Sequence, residues 1–218
     1  MTRPKLSEAE LLERNRVALE NAEQQPEIAS AMVDIGYDAT KIAEGKNLLA
    51  ETQQAYNFNK TEDDETSEAY SSFEANYDAI DEIYRKHRRK AKVIYRKDPL
   101  MLEKLNIDGH MPESYAKWLE VVEKFYTEAI ADTAIQEKLA RLKIEVEELN
   151  AVQTRIGELK TARANYRREV GESQEATKKK DAAFAKMDDW MSEFYAFARI
   201  ALEDQPQLLE ALGKVVKS

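Results

Sequence analysis

Apolar side chains recur every three or four residues through most of the chain, which is the spacing of amphipathic helices. The clearest run covers residues 65–97, where these spacings alternate across more than three heptads. Its seam positions are Tyr70, Phe73, Tyr77, Ile80, Tyr84, His87, Ala91 and Ile94. Long helices that pack at shallow angles have this pattern. The sequence therefore predicts an all-α fold, in the form of an elongated helical bundle.

Capping and helix-breaking residues divide the rest of the first half. Ser7 and Glu10 form a capping box for a first helix that ends before Pro26, and Gly36 can close a short second helix. A long helix over 40–59 then follows. We expect the polar tract NKTEDDETSE to break it before the helix at 65–97 begins.

The same order of elements returns after the connector NIDGHMPES. A shift of 107 residues places Ser7 on Ser114 and Pro99 on Pro206. The predicted helices of this second half begin at Ser114, cover 135–142 and 149–166, break near Gly171 and resume over 184–201. The sequence thus predicts two similar tandem halves, 1–109 and 110–218, with about three principal helices each. They are either two repeats or one continuous domain.

Composition agrees with a helical fold, because 218 residues include only six Gly and five Pro. Two of the glycines, Gly45 and Gly157, lie inside predicted long helices and are expected to mark close helix crossings. The absence of Cys excludes disulfides and thiolate chemistry. No apolar stretch reaches the length of a membrane span, so we expect a cytoplasmic protein.

Catalytic and metal-binding motifs are missing from the sequence. A ferritin-like centre needs two Glu-x-x-His pairs. The chain has only His87 and His110, and the residues three positions earlier are Tyr84 and Ile107. Phosphate-binding glycine loops and the nucleophile elbow of hydrolases are also absent. We therefore predict no catalytic residue, no metal ligand and no cofactor, and a protein that is not an enzyme.

A basic segment at 85–97 is the strongest candidate for binding. It carries eight Lys or Arg in thirteen residues: Arg85, Lys86, Arg88, Arg89, Lys90, Lys92, Arg96 and Lys97. Such a cluster can bind phosphate groups of RNA, DNA, anionic lipid or a small ligand. However, the net charge of −9 disfavours nucleic acid, and nine acidic residues lie between Glu62 and Glu82. The alternative is a solvated or partner-facing helix surface whose charges complement the helix dipole.

Two further features permit more than one interpretation. His87 is predicted to be buried at a seam position, where it is either a satisfied core residue or a functional group that titrates near neutral pH. The last long helix is unusually aromatic, and Trp190, Tyr195 and Phe197 flank its seam. These three either widen the core or form a dimer interface or an apolar ligand pocket.

Taken together, these patterns favour a non-enzymatic interaction or scaffold protein that binds a protein partner or a second copy of itself. The alternative is a protein that binds phosphate, nucleic acid or a small ligand. Such a ligand would bind through 85–97 or through a pocket lined by the aromatic C-terminal helix.

Overall fold

The computed structural model describes residues 6–214, which form α-helices and no β-strand. The predicted all-α fold is therefore confirmed. No helix in this part of the chain has an apolar stretch long enough to cross a lipid bilayer. The helices are α1 (Glu8–Gln24), α2 (Pro26–Asp34), α3 (Ala39–Ile94), α4 (Pro99–Lys104), α5 (Tyr115–Ala131), α6 (Thr133–Ala140), α7 (Val146–Ala201) and α8 (Leu208–Ala211).

The ends of the first two helices follow the predicted signals. The N–H of Glu10 donates to Ser7 Oγ at 3.3 Å, and the N–H of Ser7 donates to the Glu10 carboxylate at 2.7 Å. Pro26 occupies the first turn of α2, where its missing N–H costs nothing. Gly36 follows α2 with a φ of +88°, a conformation that glycine adopts without strain. The capping box and the glycine stop are thus confirmed.

The predicted helix break within 59–68 is wrong, because α3 continues through this polar tract. The tract contains neither Gly nor Pro, and its other residues each lower helix stability by less than about 1 kcal/mol. Some of its side chains also bind α7. The Asn59 amide donates to Thr177 Oγ at 3.2 Å, and the Ser173 hydroxyl donates to the Asp63 carboxylate at 2.7 Å. Hydrogen bonds therefore replace apolar contacts along this part of the helix pair.

The break predicted near Gly171 is also wrong, since α7 passes through it. One glycine inside a helix costs about 1 kcal/mol relative to alanine. Helical residues on both sides offset a cost of this size. Each half of the sequence consequently contains a single helix of 56 residues where two separate long helices were expected.

The helices group into two compact units that do not follow the order of the chain. Unit 1 combines residues up to Asp64 with residues from Gly171 onward, and unit 2 comprises Glu65–Val170. Each 56-residue helix contributes one part to each unit. The sequence boundary predicted between residues 109 and 110 lies inside unit 2. That the chain consists of two similar halves, 1–109 and 110–218, stays a prediction from the sequence pattern.

Unit 1 packs α1, α2 and α8 against antiparallel segments of α3 and α7. Its buried cluster includes Leu19, Met32 and Phe194. Gly45 lies directly beneath Trp190, and a Cβ at Gly45 would come within 2.6 Å of a Trp190 ring carbon. The close crossing predicted at Gly45 is confirmed. At Gly157, in unit 2, a Cβ would meet no atom within 4 Å, so the crossing predicted there is wrong.

Unit 2 packs α5 and α6 against the other segments of α3 and α7. Its large buried side chains include residues from the seam of α3 and from α5: Ile80, Tyr84, Trp118, Phe125 and Tyr126. The Trp118 indole N–H donates to Asp81 Oδ1 at 2.8 Å, which satisfies its polar atom. The predicted seam is buried at Tyr84, His87 and Ala91, whereas Tyr70 near its start is 43% exposed.

One constant separation relates the first three helices to their later counterparts. The starts Glu8 and Tyr115, Pro26 and Thr133, and Ala39 and Val146 all lie 107 residues apart. Two of the three pairs match in length, with 17 residues each for α1 and α5 and 56 each for α3 and α7, while α2 has nine residues and α6 has eight. This register provides a position-by-position comparison of the two units.

Candidate anion-binding groove

The packing of α3 in unit 2 determines which of its basic side chains face solvent. Tyr84, His87 and Ala91 are buried against α5 and α7. The basic residues occupy other positions of the helical wheel, so they must lie on the remaining faces of α3. Arg85 and Arg89 are exposed, and Arg88 is partly buried. The apolar seam thus presents the basic residues as a stripe along the end of the helix.

This stripe forms one side of a surface groove with a volume of about 600 Å³. Met111, from the connector between α4 and α5, also lines it. Val93 contributes an apolar side chain that is 60% exposed. The basic lining residues are Arg85, Lys86, Arg88, Arg89, Lys92 and Arg96. The structure therefore brings six of the eight predicted basic residues together around one groove.

Two of the six already have carboxylate partners on the same helix. Arg85 Nε lies 2.5 Å from Asp81 Oδ2, and Lys86 Nζ lies 2.6 Å from Glu82 Oε1. The two basic side chains are 59% exposed, and such surface pairs contribute at most about 1 kcal/mol. Both pairs lie at the N-terminal end of the stripe, where they neutralise part of its charge.

Arg88 and Lys92 bind backbone carbonyls of the connector. Arg88 Nη2 donates to the carbonyls of Ile107, at 3.1 Å, and Gly109, and Lys92 Nζ donates to Gly109 at 3.4 Å. Carbonyl oxygens satisfy hydrogen bonds without cancelling charge. Burial and the positive charge of Arg88 lower the pKa of Lys92, while Asp108 opposes that shift. The carbonyl contacts therefore hold Arg88 and Lys92 in place without neutralising their positive charges.

The remaining cations of the groove have no anionic partner. Among residues 6–214, neither Arg89 nor Arg96 makes an ion pair or a hydrogen bond. The Nε atom of Arg88 is buried and has no acceptor. Arg88 and Arg96 are eight residues apart, or about 12 Å at helical rise. The groove can thus accept a row of carboxylates or phosphates of that length.

The other two predicted basic residues do not line the groove. Lys90 Nζ donates to the carbonyl of Leu142 at 2.7 Å, which ties α3 to the segment that follows α6. Lys97 is exposed beyond the end of α3. Lys90 therefore has a structural contact, and the binding surface is narrower than the basic segment of the sequence.

His87 belongs to a buried hydrogen-bond network, with 3% of its surface exposed. Its Nδ1 lies 3.0 Å from the Tyr126 hydroxyl, and its Nε2 lies 3.1 Å from Glu148 Oε1. A neutral ring satisfies both contacts when Nε2–H donates to the carboxylate and Nδ1 accepts from the hydroxyl. Burial lowers the pKa of His87, and the charge of Glu148 acts in the opposite direction. Both ring nitrogens thus have partners within the fold.

The aromatic residues of the last long helix lie in unit 1. Trp190 and Tyr195 are buried, and the Tyr195 hydroxyl donates to the Leu212 carbonyl at 3.0 Å. Phe197 is 36% exposed, and its ring centroid lies 5.0 Å from that of Tyr37. Two of the three residues therefore pack within the core of unit 1, and only Phe197 reaches its surface.

Sequence reasoning missed the contribution of the connector. Met111 lines the groove, and the carbonyls of Ile107 and Gly109 accept hydrogen bonds from Arg88, although Ile107 and Gly109 lie 19 and 21 residues after Arg88. Its Gly and Pro residues indicate a turn but not the surface against which it packs. Only the fold places the connector beside Arg88.

Comparisons of this chain with family models, with curated proteins and with solved structures gave no match.

Proposed function

We propose that this chain is a non-enzymatic binding protein and that the groove of unit 2 binds an acidic segment of a protein partner. The observation that carries the proposal is the row of Arg88, Arg89, Lys92 and Arg96, which line one groove without a carboxylate partner in the described residues. Buried interfaces are enriched in Arg and Met, and both residue types line this groove.

The composition of the groove favours an acidic protein segment over nucleic acid. Proteins that bind single strands stack bases on exposed aromatic rings. Tyr95, the aromatic residue of the basic segment, is only 2% exposed, and no aromatic residue lines the groove. The exposed Val93 instead suits an apolar side chain of the partner.

Binding of a labelled helical peptide tests this proposal. The peptide carries Glu and Leu along one face, and its affinity is measured by fluorescence anisotropy at low and moderate salt. The R89E/R96E variant should bind at least about tenfold more weakly, which corresponds to about 1.4 kcal/mol. Both arginines are exposed and form no structural contact, so circular dichroism should show an unchanged fold.

A matched control separates the groove from net charge. The K124E/R155E variant changes the net charge by the same amount at exposed positions of unit 2 outside the groove lining. It should retain the affinity of the unmodified protein. Equal losses in both variants, or binding of a single-stranded oligonucleotide but not of the peptide, would reject an acidic protein partner.

We also infer that the halves 1–109 and 110–218 are related by internal duplication. The common separation of 107 residues and the equal lengths of two of the three helix pairs support this inference. A duplicated chain can keep one scaffold while its copies acquire different surfaces. Duplication would therefore explain why only one of two similarly built units carries a basic groove.

A further inference from the structure

The surface of unit 1 that corresponds to the groove carries acidic and apolar residues. Adding 107 to Lys86 and Arg96 gives Glu193 and Glu203, so the charge is reversed at both positions. Val93 corresponds to Ile200, and these two side chains have almost equal exposure, at 60% and 61%. The two surfaces therefore share an exposed apolar residue and carry opposite charges at two positions, whereas Lys92 corresponds to Arg199, which is also basic.

These residues of unit 1 form a continuous face of α7 and the turn after it. Glu193, Phe197 and Ile200 follow one another at spacings of four and three residues, which places them on one side of α7, and Asp204 lies in the turn after its end. Glu203 is adjacent to Asp204 and is also exposed. Arg199 is also exposed and lies four residues before Glu203, so one basic residue adjoins these carboxylates. We call Glu193, Phe197, Ile200, Glu203 and Asp204 the acidic face.

The acidic face matches the groove in length and order. Arg85 to Arg96 and Glu193 to Asp204 both span eleven residues, or about 16 Å at helical rise. Charged residues lie before and after the exposed Val93 in the groove, and before and after Phe197 and Ile200 in the acidic face. Of its three carboxylates, Glu193 has a hydrogen-bond partner among the described residues, because the Tyr37 hydroxyl donates to it at 3.0 Å. Glu203 and Asp204 make no ion pair among the described residues.

We propose that the partner bound by the groove is a second copy of this chain, which presents its acidic face to the unit 2 groove. This inference rests on the proposed function and names its partner. In the complex, Arg89 and Arg96 would pair with carboxylates of the other copy, while Val93 would pack against Phe197 and Ile200. Opposite charges at the interface favour this pairing over contacts between like faces.

Charge reversal on each surface tests the proposal. Molar mass is measured by light scattering after size exclusion, at about 50 mM and about 500 mM salt, because salt screens such contacts. The unmodified chain should associate at low salt and dissociate at high salt. The R89E/R96E and E203K/D204K variants should each remain monomeric. Neither variant removes a contact that holds its own unit together.

Mixing the two reversed variants gives the decisive result. Alone, R89E/R96E lacks the strongly basic groove and E203K/D204K lacks the acidic face, so neither should associate with its own copies. Together they should form a complex at low salt, since the intact groove of one meets the intact acidic face of the other. The E27K/E51K variant, reversed at exposed positions of unit 1 outside the acidic face, should associate like the unmodified chain.

The peptide assay distinguishes failure of this inference from failure of the proposed function. A chain that binds the Glu and Leu peptide through Arg89 and Arg96 but stays monomeric retains the proposed function, and the second copy is rejected. A chain that neither associates nor binds the peptide rejects both. Association that survives both charge reversals would overturn this interface.

Discussion

Unit 1 and unit 2 use similar helical scaffolds for different chemistry. In unit 2, the last part of α3 buries His87 and Tyr84 and exposes Arg89. The corresponding part of α7 in unit 1 buries Phe194 and Met191 and exposes Ala196. The buried positions thus stay apolar or aromatic except at His87, whereas the exposed positions differ in charge. A helix can change its surface at low cost because exposed substitutions rarely alter stability by more than about 0.5 kcal/mol.

The core contacts of the units differ as well. Unit 1 combines Gly45 with Trp190, whereas unit 2 has Val152 and Ile83 at the corresponding positions. Unit 1 thus has one large side chain opposite a glycine, whereas unit 2 has two medium-sized side chains at these positions. Both combinations can fill a core to native density. The two units therefore have the same order of helices over α1–α3 and α5–α7 but different individual contacts.

Separating the halves of the sequence should produce the largest effect. Each unit draws helices from both 1–109 and 110–218, so neither half contains all the helices of either unit. We expect each fragment, expressed alone, to lack a cooperative thermal transition. Mixed in equal amounts, the two should associate and regain the helical circular dichroism of the intact chain. A fragment that folds cooperatively by itself would show that a half is sufficient for folding.

Alanine substitution at Gly45 should produce the next largest effect. The added Cβ has no space beneath Trp190, and overpacking of this kind typically costs about 1–3 kcal/mol. Gly157→Ala is the matched control in a helix of equal length. Its Cβ meets open space, so the better helix propensity should raise stability by about 0.5–1 kcal/mol. Urea denaturation of both variants measures these opposite shifts.

A double substitution sharpens that contrast. Gly45→Val combined with Trp190→Ile gives unit 1 the residue pair found in unit 2. The smaller side chain at position 190 should leave room for the larger one at position 45, so the double variant should be more stable than Gly45→Val alone. Additive losses would mean that the two positions do not share the same space.

Helix patterns in the sequence were sufficient for the all-α fold, the short helices and the buried face around His87. They failed at 59–68 and at Gly171, because polar residues inside a long helix resemble a loop unless their cross-helix partners are known. Asn59 finds Thr177 in the opposite helix, a contact between residues far apart in sequence. For the same reason, the basic residues were predictable, but their convergence with Met111 into a groove was not.

Replacement of His87 by Phe should have a moderate effect on unit 2. Unit 1 has Phe194 at the corresponding position, so an apolar ring is compatible with this scaffold. However, His87→Phe leaves the buried Tyr126 hydroxyl without its partner, which costs about 1–3 kcal/mol. The double variant His87→Phe/Tyr126→Phe removes both polar groups and should regain part of that loss. Urea denaturation of the set gives their coupling energy.

Acid should produce the smallest effect, and it should act through unit 2. Burial lowers the pKa of His87 from its ordinary value of 6.5, so the unfolded chain binds this proton more readily than the folded one. The contribution of His87 to stability is therefore complete above pH 6.5 and is lost as the pH falls towards the lower pKa of the folded state. One such proton changes stability by at most about 1.4 kcal/mol per pH unit. Trp118 fluorescence, measured during urea denaturation in a Trp190→Phe background, reports on unit 2. Adding His87→Phe should flatten the pH dependence of the free energy of unfolding. An unchanged slope would assign the acid sensitivity to other groups of the chain.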